Sequence, residues 1–123
     1  KEASDENYDA AVAYMIEHLD RMSIFAGTHN ELSTYKLMEL MEKKGVKSND
    51  NRIWFGQLYG MSDNISYNLA ENGFNVAKYL PFGPVKDVMP YLIRRAEENT
   101  SVAGQTSREL SMIKAERKRR KEK

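Results

Sequence analysis

Asn49-Asp50-Asn51-Arg52-Ile53-Trp54-Phe55-Gly56-Gln57-Leu58-Tyr59-Gly60 is the stretch that decides the fold. Asn49-Asp50-Asn51 is turn chemistry, because short amide and carboxylate side chains bond the backbone two residues on. Ile53-Trp54-Phe55 follows as an unbroken apolar run. A strand with one wet face alternates apolar and polar residues. An unbroken run marks a strand buried on both faces, as in parallel sheets.

On its N-terminal side, Ala11, Met15, Ile16 and Leu19 recur at helical spacing between Asn7 and Arg21. Ser23-Ile24-Phe25-Ala26 reads as a short buried strand. Asn30 is placed to cap a second helix, with apolar positions at Leu32, Tyr35, Leu37, Met38, Leu40 and Met41 and Gly45 just past its end. On the C-terminal side, Ser62 or Asp63 caps a helix carrying Ile65, Leu69 and Ala70 that stops at Asn72-Gly73. Phe74 to Leu80 is a third strand. Pro81-Phe82-Gly83-Pro84 is a rigid turn into a helix from Val85 to about Asn99, with Pro84 suited to its first turn. Gly104 breaks the pattern, and Ser107 to Arg120 forms a final polar helix.

Strands alternating with helices through short connections predict a parallel α/β sheet. Three strands are too few to close a barrel, so the pattern predicts an α/β piece of something larger. The chain divides into residues 1–104 and a basic helical tail, 105–123.

The chain has 123 residues, enough for one modest core, and a net charge of +1, which selects no partner by bulk electrostatics. Its positive charge concentrates in Lys114 to Lys123. Such a tail favours nucleic acid or an anionic membrane surface, but a solvated helix end is the plainer reading, and no nucleic acid is expected. The absence of cysteine excludes disulfides, thiolate metal sites and cysteine nucleophiles. It fits a reducing compartment. No apolar run approaches a membrane span, and polar, acidic Lys1 to Tyr8 is unlike a signal peptide and reads as a fragment boundary.

In parallel α/β proteins, ligand chemistry gathers at the C-terminal strand ends. Here those ends carry Gly27-Thr28-His29-Asn30, Gly56-Gln57-Leu58-Tyr59-Gly60 and Tyr79. His29 is the one histidine at a strand end; His18 lies in the first helix pattern. Two histidines without a matching acidic cluster make no metal site. For His29, local bonding in the βα turn competes with a hydrogen bond to a cofactor. A Ser/His/Asp triad with Ser62 and Asp63 is formally possible, but no nucleophile-elbow pattern supports it. Arg94 and Arg95 point about 100° apart on a helix. Their guanidinium forks suit a carboxylate or phosphate, although salt bridging along the helix competes, with Glu98 three and four residues on. Tyr91 lies three residues before Arg94. The scattered methionines read as core filler. No glycine pattern matches a dinucleotide or P-loop fingerprint.

Phe55 to Asp63, Lys78 to Val85, and Pro90 to Asn99 resemble, in order, the strand-seven, strand-eight and helix-eight regions of proline dehydrogenases. Thr28-His29-Asn30 resembles that family's strand-six end. The likeness covers roughly Ser23 to Val102, and the tyrosine–double-arginine helix after Lys-Tyr-x-Pro-x-Gly-Pro is its most specific part. It implies the C-terminal part, about strands six to eight and their helices, of a (β/α)8 TIM-like barrel. It implies an FAD enzyme that oxidises L-proline to Δ1-pyrroline-5-carboxylate and passes electrons to a membrane quinone. By that resemblance Arg94 and Arg95 hold the proline carboxylate, Tyr79 and Tyr91 shape the ring pocket, and Leu58 packs on the substrate. Thr28, His29, Asn30, Gln57 and Glu98 fall at FAD contacts. Phe82 departs from the tyrosine that many relatives carry.

The family's first five strands, which carry further flavin contacts, have no counterpart in this chain, so it is expected to be inactive alone. The alternative is a non-catalytic binding or assembly module on a partial barrel. The expected location is cytoplasmic or peripheral to a membrane, and mitochondrial in a eukaryote. A half barrel exposes strand edges and an uncovered apolar interior, with Ile53, Trp54, Phe55 and Val76 near the opening. Such a chain is expected to self-associate.

Overall fold

The computed structural model describes the backbone of residues 2–101 and 103–121 and the side chains of 3–97, 110–115 and 117–121. Two compact units divide the chain, Lys1–Leu80 and Pro81–Lys123. The first contains α1 (Glu2–Glu17), β1 (Ile24–Gly27), α2 (Glu31–Lys43), β2 (Ile53–Leu58), α3 (Asp63–Glu71) and β3 (Val76–Tyr79). The second contains α4 (Val85–Ser101) and α5 (Ala103–Lys121).

The strands form a three-stranded open sheet in the order β1-β2-β3, parallel throughout. Ile24 pairs with Ile53 and Ala26 with Phe55, and Phe55 pairs with Val76. Successive strand side chains point to opposite faces, so these residues share one face. That face is the core. Ile53 and Phe55 are 0% exposed, packed with Val12, Ile16 and Leu19 from the α1 region, Leu37 and Met41 of α2, and Ile65 and Leu69 of α3. Phe74 meets Phe55 edge to face, with ring centroids 5.6 Å apart.

The other face differs from the reading of a strand buried on both sides. Phe25 is 65% exposed and Trp54 40% exposed. Helices cover one face of the sheet, so the unbroken Ile-Trp-Phe run splits between a buried side and an open one. Of the four residues expected at the opening, only Trp54 lies on that face. Ile53 and Phe55 are wholly buried under the helices, and Val76 is half-buried against the same core. On the open face the ring of Phe25 lies across Gly56. A Cβ there would clash with Phe25 Cε1, so this placement of the exposed ring depends on the missing side chain.

The ends of α2 and α3 follow from short-range chemistry. Asn30 caps α2, its Oδ1 accepting from the amides of Leu32 and Ser33. Both helices close with the same Schellman pair. Gly45 N–H bonds to Glu42 O and Val46 N–H to Met41 O, while Gly73 N–H bonds to Ala70 O and Phe74 N–H to Leu69 O. Gly45 and Gly73 take the left-handed φ this requires, at 65° and 78°.

Other bounds move. Helix α1 starts at Glu2, not Asn7, because acidic Asp5 and Glu6 suit the positive end of a helix although they carry no apolar periodicity. It stops at Glu17, and Arg21 N–H bonding back to His18 O closes a separate turn. Strand β1 is shifted one residue on, β2 extends to Leu58, and β3 is trimmed to Val76–Tyr79. Helix α4 runs on to Ser101 through Pro90, which withholds an amide from the Lys86 carbonyl. Gly104 lies inside α5 and does not interrupt it.

The N-terminal edge of the sheet is knotted by charge. Arg52 donates to Asp50 through Nε at 2.9 Å and Nη2 at 2.6 Å, and to the Leu19 carbonyl through Nη1 at 3.2 Å. The Arg52 amide donates to Asp50 Oδ1 at 3.0 Å. Asn75 Nδ2 donates to the carbonyls of Asp50 and Ile53, which joins the start of β3 to this turn. The side-chain and backbone bonds from Arg52 hold the Asp50 carboxyl at about 2, below its ordinary 3.8.

Two outcomes follow from these assignments. Phe55→Ala should cost about 3–5 kcal/mol of stability, and Trp54→Ala on the open face much less, measured by urea unfolding followed in far-ultraviolet circular dichroism. Equal losses would contradict the facing of the sheet. A depressed carboxyl pKa stabilises fully above the unfolded value of 3.8 and is lost as pH falls towards about 2. Wild type should therefore lose more stability than Asp50→Asn on acidification from pH about 5 to about 2.5. Parallel decline of the two would remove Asp50 from the acid response.

Candidate functional site

Parallel strands all finish on the same edge, so the C-terminal ends of β1, β2 and β3 lie together. Register pairs Leu58 with Tyr79 at this edge. Both lie on the open face, Leu58 half-buried and Tyr79 exposed. In the preceding row Gly27, Gly56 and Ala77 are paired in register, so only small side chains stand there.

The loop after β1 is held by its own polar groups. Thr28 Oγ1 accepts from the Asn30 amide at 3.0 Å. Asn30 uses its side chain to cap α2, and its carbonyl accepts from the Thr34 amide at 3.1 Å and the Thr34 hydroxyl at 2.9 Å. Thr28, His29 and Asn30 are half-buried.

Gln57 points the other way from Leu58, into the helix side, and is buried. Its Nε2 reaches towards the Thr28 carbonyl at 3.5 Å, and its Oε1 accepts from Ser66 Oγ at 2.9 Å. Ser66 Oγ also lies 3.2 Å from the Ser62 carbonyl. Buried polar groups satisfied in this way specify one arrangement of the elements that carry them. Here those elements are the β1–α2 loop, β2 and the start of α3.

His29 Nδ1 lies 2.9 Å from Ser62 Oγ. The structure thus brings together two members of the formally possible triad. Asp63 does not complete it, because its carboxylate accepts from Lys78 Nζ at 2.7 Å. Ser62 is 1% exposed, which withholds its hydroxyl from any substrate. Lys78 also donates to the Met61 carbonyl at 2.6 Å and so ties β3 to the β2–α3 loop. Among the described residues, no group of three or more His, Cys, Asp or Glu side chains could hold a metal.

The second unit carries the rest of the predicted set. On α4, Arg94 is exposed and Arg95 is half-buried. The Arg95 guanidinium stands 5.0 Å from the Tyr91 ring centroid, a cation–π contact across one helical turn. Tyr91 stands three residues before Arg94 and four before Arg95, and the four-residue spacing is the one that brings the ring under a guanidinium. Glu98 lies in α4, and its side chain is outside the described residues.

Sequence reasoning singled out neither Ser66 nor Lys78, and it treated Ser62 as a helix cap or as a formally possible triad partner of His29. The four-residue spacing of Ser62 and Ser66 at a helix start was the available signal, since a serine hydroxyl there reaches back to the carbonyl four residues earlier.

The proline dehydrogenase family model matches residues 1–108. The chain belongs to that family. It is 42% identical over 120 residues to the carbapenem antibiotics biosynthesis protein CarD of Pectobacterium carotovorum subsp. carotovorum, a match covering 98% of this chain and 31% of that protein. It is 40% identical over 122 residues to the mitochondrial proline dehydrogenase 1 of Bos taurus, covering 97% of this chain and 21% of the relative. With the hydroxyproline dehydrogenase of Xenopus laevis it shares 36% over 123 residues, 97% of this chain and 26% of that protein. The chain therefore spans less than a third of the length of these relatives.

Proposed function

We propose that this chain supplies the C-terminal part, about strands six to eight and their helices, of the (β/α)8 barrel of an FAD-dependent proline dehydrogenase. The observation that carries the reading is the family match over residues 1–108. A parallel sheet covered by helices on one face only supports it, because barrel strands turn their other face inward. The substrate is L-proline and the product Δ1-pyrroline-5-carboxylate. The ring carbon beside nitrogen loses a hydride, the nitrogen loses a proton, and a C=N bond forms. Electrons pass on to a membrane quinone.

FAD supplies the hydride acceptor when bound. The donor set at the strand-end edge fits such a group: Thr28, His29, Asn30 and Gln57 are polar, and the loop after β1 is held from behind by Ser62 on His29 and by Gln57, itself bonded by Ser66, on the Thr28 carbonyl. Thr28 and His29 are half-buried in the loop at this edge, while half-buried Asn30 and buried Gln57 hold that loop through the bonds described above. Glu98 completes the flavin-contacting set by resemblance. Arg94 and Arg95 clamp the proline carboxylate, for which guanidinium forks have matching geometry. The stack of Arg95 on Tyr91 supports this role, since a ring beneath a guanidinium restricts its orientation before substrate arrives. By resemblance Tyr79 and Tyr91 shape the ring pocket and Leu58, paired with Tyr79, packs on the substrate.

In isolation the chain self-associates and stays catalytically silent. Phe25 and Trp54 lie exposed on the uncovered face, and β1 and β3 are sheet edges.

In the complete barrel, Arg94→Ala or Arg95→Ala should each cost about 2–5 kcal/mol in kcat/KM for proline, since a charged hydrogen-bond partner is lost. Unchanged steady-state kinetics in both would remove the clamp assignment. Sedimentation equilibrium of the isolated chain at micromolar concentration should show association. A monomer whose cooperative unfolding is independent of concentration would show the piece to be self-sufficient.

A further inference from the structure

Ser62 is built in a way that stability alone does not account for. It occupies the N-cap position of α3 with φ 51° and ψ 41°, and is the one non-glycine residue of positive φ among the described residues. A side chain in that region is strained, and glycine would adopt it without cost. An N-cap serine ordinarily bonds the second or third helical amide. Ser62 makes no such side-chain cap bond. Its hydroxyl instead reaches across 33 residues of sequence to His29 Nδ1 at 2.9 Å. The Ser62 carbonyl accepts from the Ser66 amide at 3.1 Å, and Ser66 in turn bonds Gln57, which lies against the Thr28 carbonyl. Both ends of the contact are therefore anchored to β2 and the loop after β1. Backbone strain that persists with a forgone cap is the pattern found where geometry serves a site.

We infer that Ser62 is a positioning residue whose buried hydroxyl fixes the plane of the His29 imidazole, and with it the direction of Nε2, for contact with the flavin. A hydrogen bond at one ring nitrogen sets which face and which atom the other presents. This inference rests on the reading of His29 as a flavin contact, and it assigns to Ser62 a role that neither its residue type nor its place at a helix start suggests.

Ser62→Gly is the decisive variant, because it deletes the hydroxyl while relieving the backbone. It is compared with His29→Ala and the double variant in the complete barrel. The readouts are the dissociation constant of FAD, followed by flavin fluorescence, and the thermal midpoint of the apoprotein. Ser62→Gly should weaken FAD binding about tenfold, the size of one lost hydrogen bond. Its thermal midpoint should stay within a few degrees of wild type, and it should add nothing once His29 is alanine. Unchanged FAD affinity in Ser62→Gly, with His29→Ala weakened, overturns the positioning role and leaves the flavin-contact reading standing. Unchanged affinity in His29→Ala overturns that reading itself. A loss in Ser62→Gly that persists in the double variant, or one that tracks a large fall in thermal midpoint, shows that Ser62 acts on the fold and not through His29.

Discussion

Burial of every second side chain of β2 is the constraint on which the rest of the first unit depends. Ile53 and Phe55 point into the helices, so Trp54, Gly56 and Leu58 must point away from them. A slip of one residue would put Trp54 in the core and expose Phe55, at the cost of a well-packed aromatic. The same alternation carries Gln57 to the helix side, where Ser66 meets it, and sets Leu58 beside Tyr79 on the open side. Packing at the bottom of the strand thus decides which groups can face a ligand at its top.

The two ends of the sheet are held by different chemistry. At the N-terminal edge, Arg52 and Asp50 form a charge-assisted knot that also takes in the Leu19 carbonyl and, through Asn75, the start of β3. At the C-terminal edge the bonds are mostly neutral, between serine, threonine, glutamine, asparagine and histidine. In parallel α/β barrels generally, the N-terminal face serves stability and ligands gather at the C-terminal face. Among the described residues of the first unit, Lys78 and Asp63 form a charged pair at this edge and neutralise each other.

What the sequence disclosed and what it hid divide along the range of the interactions. Caps and stops are decided within a few residues, so Asn30, Gly45 and Gly73 were legible. The order and parallel character of the strands were legible too, because each strand is flanked by a helix. Facing was misread because an apolar run is compatible with a strand buried on one side and open on the other. The helix through Pro90 was legible, whereas the left-handed backbone of Ser62 was hidden because it breaks local preference. Ser66, the partner of Gln57, lies nine residues away and matched no spacing rule, while Ser62 had been set beside His29 only as a formal triad possibility. Family membership was legible from the motifs around Gln57, Tyr79 and the two arginines. The stack of Tyr91 on Arg95 needed coordinates.

The ring of Phe25 resting on Gly56 bears on the routes by which this surface could change over generations. A Cβ added at position 56 would meet the tip of that ring, which is already largely exposed and would have to swing aside. Because the clashing atoms are the free tip of an exposed side chain, the ring can yield, so a path that changes position 56 first asks only for a swing of Phe25. A path that shrinks position 25 first removes the need even for that adjustment, so both orders to the same double replacement stay passable.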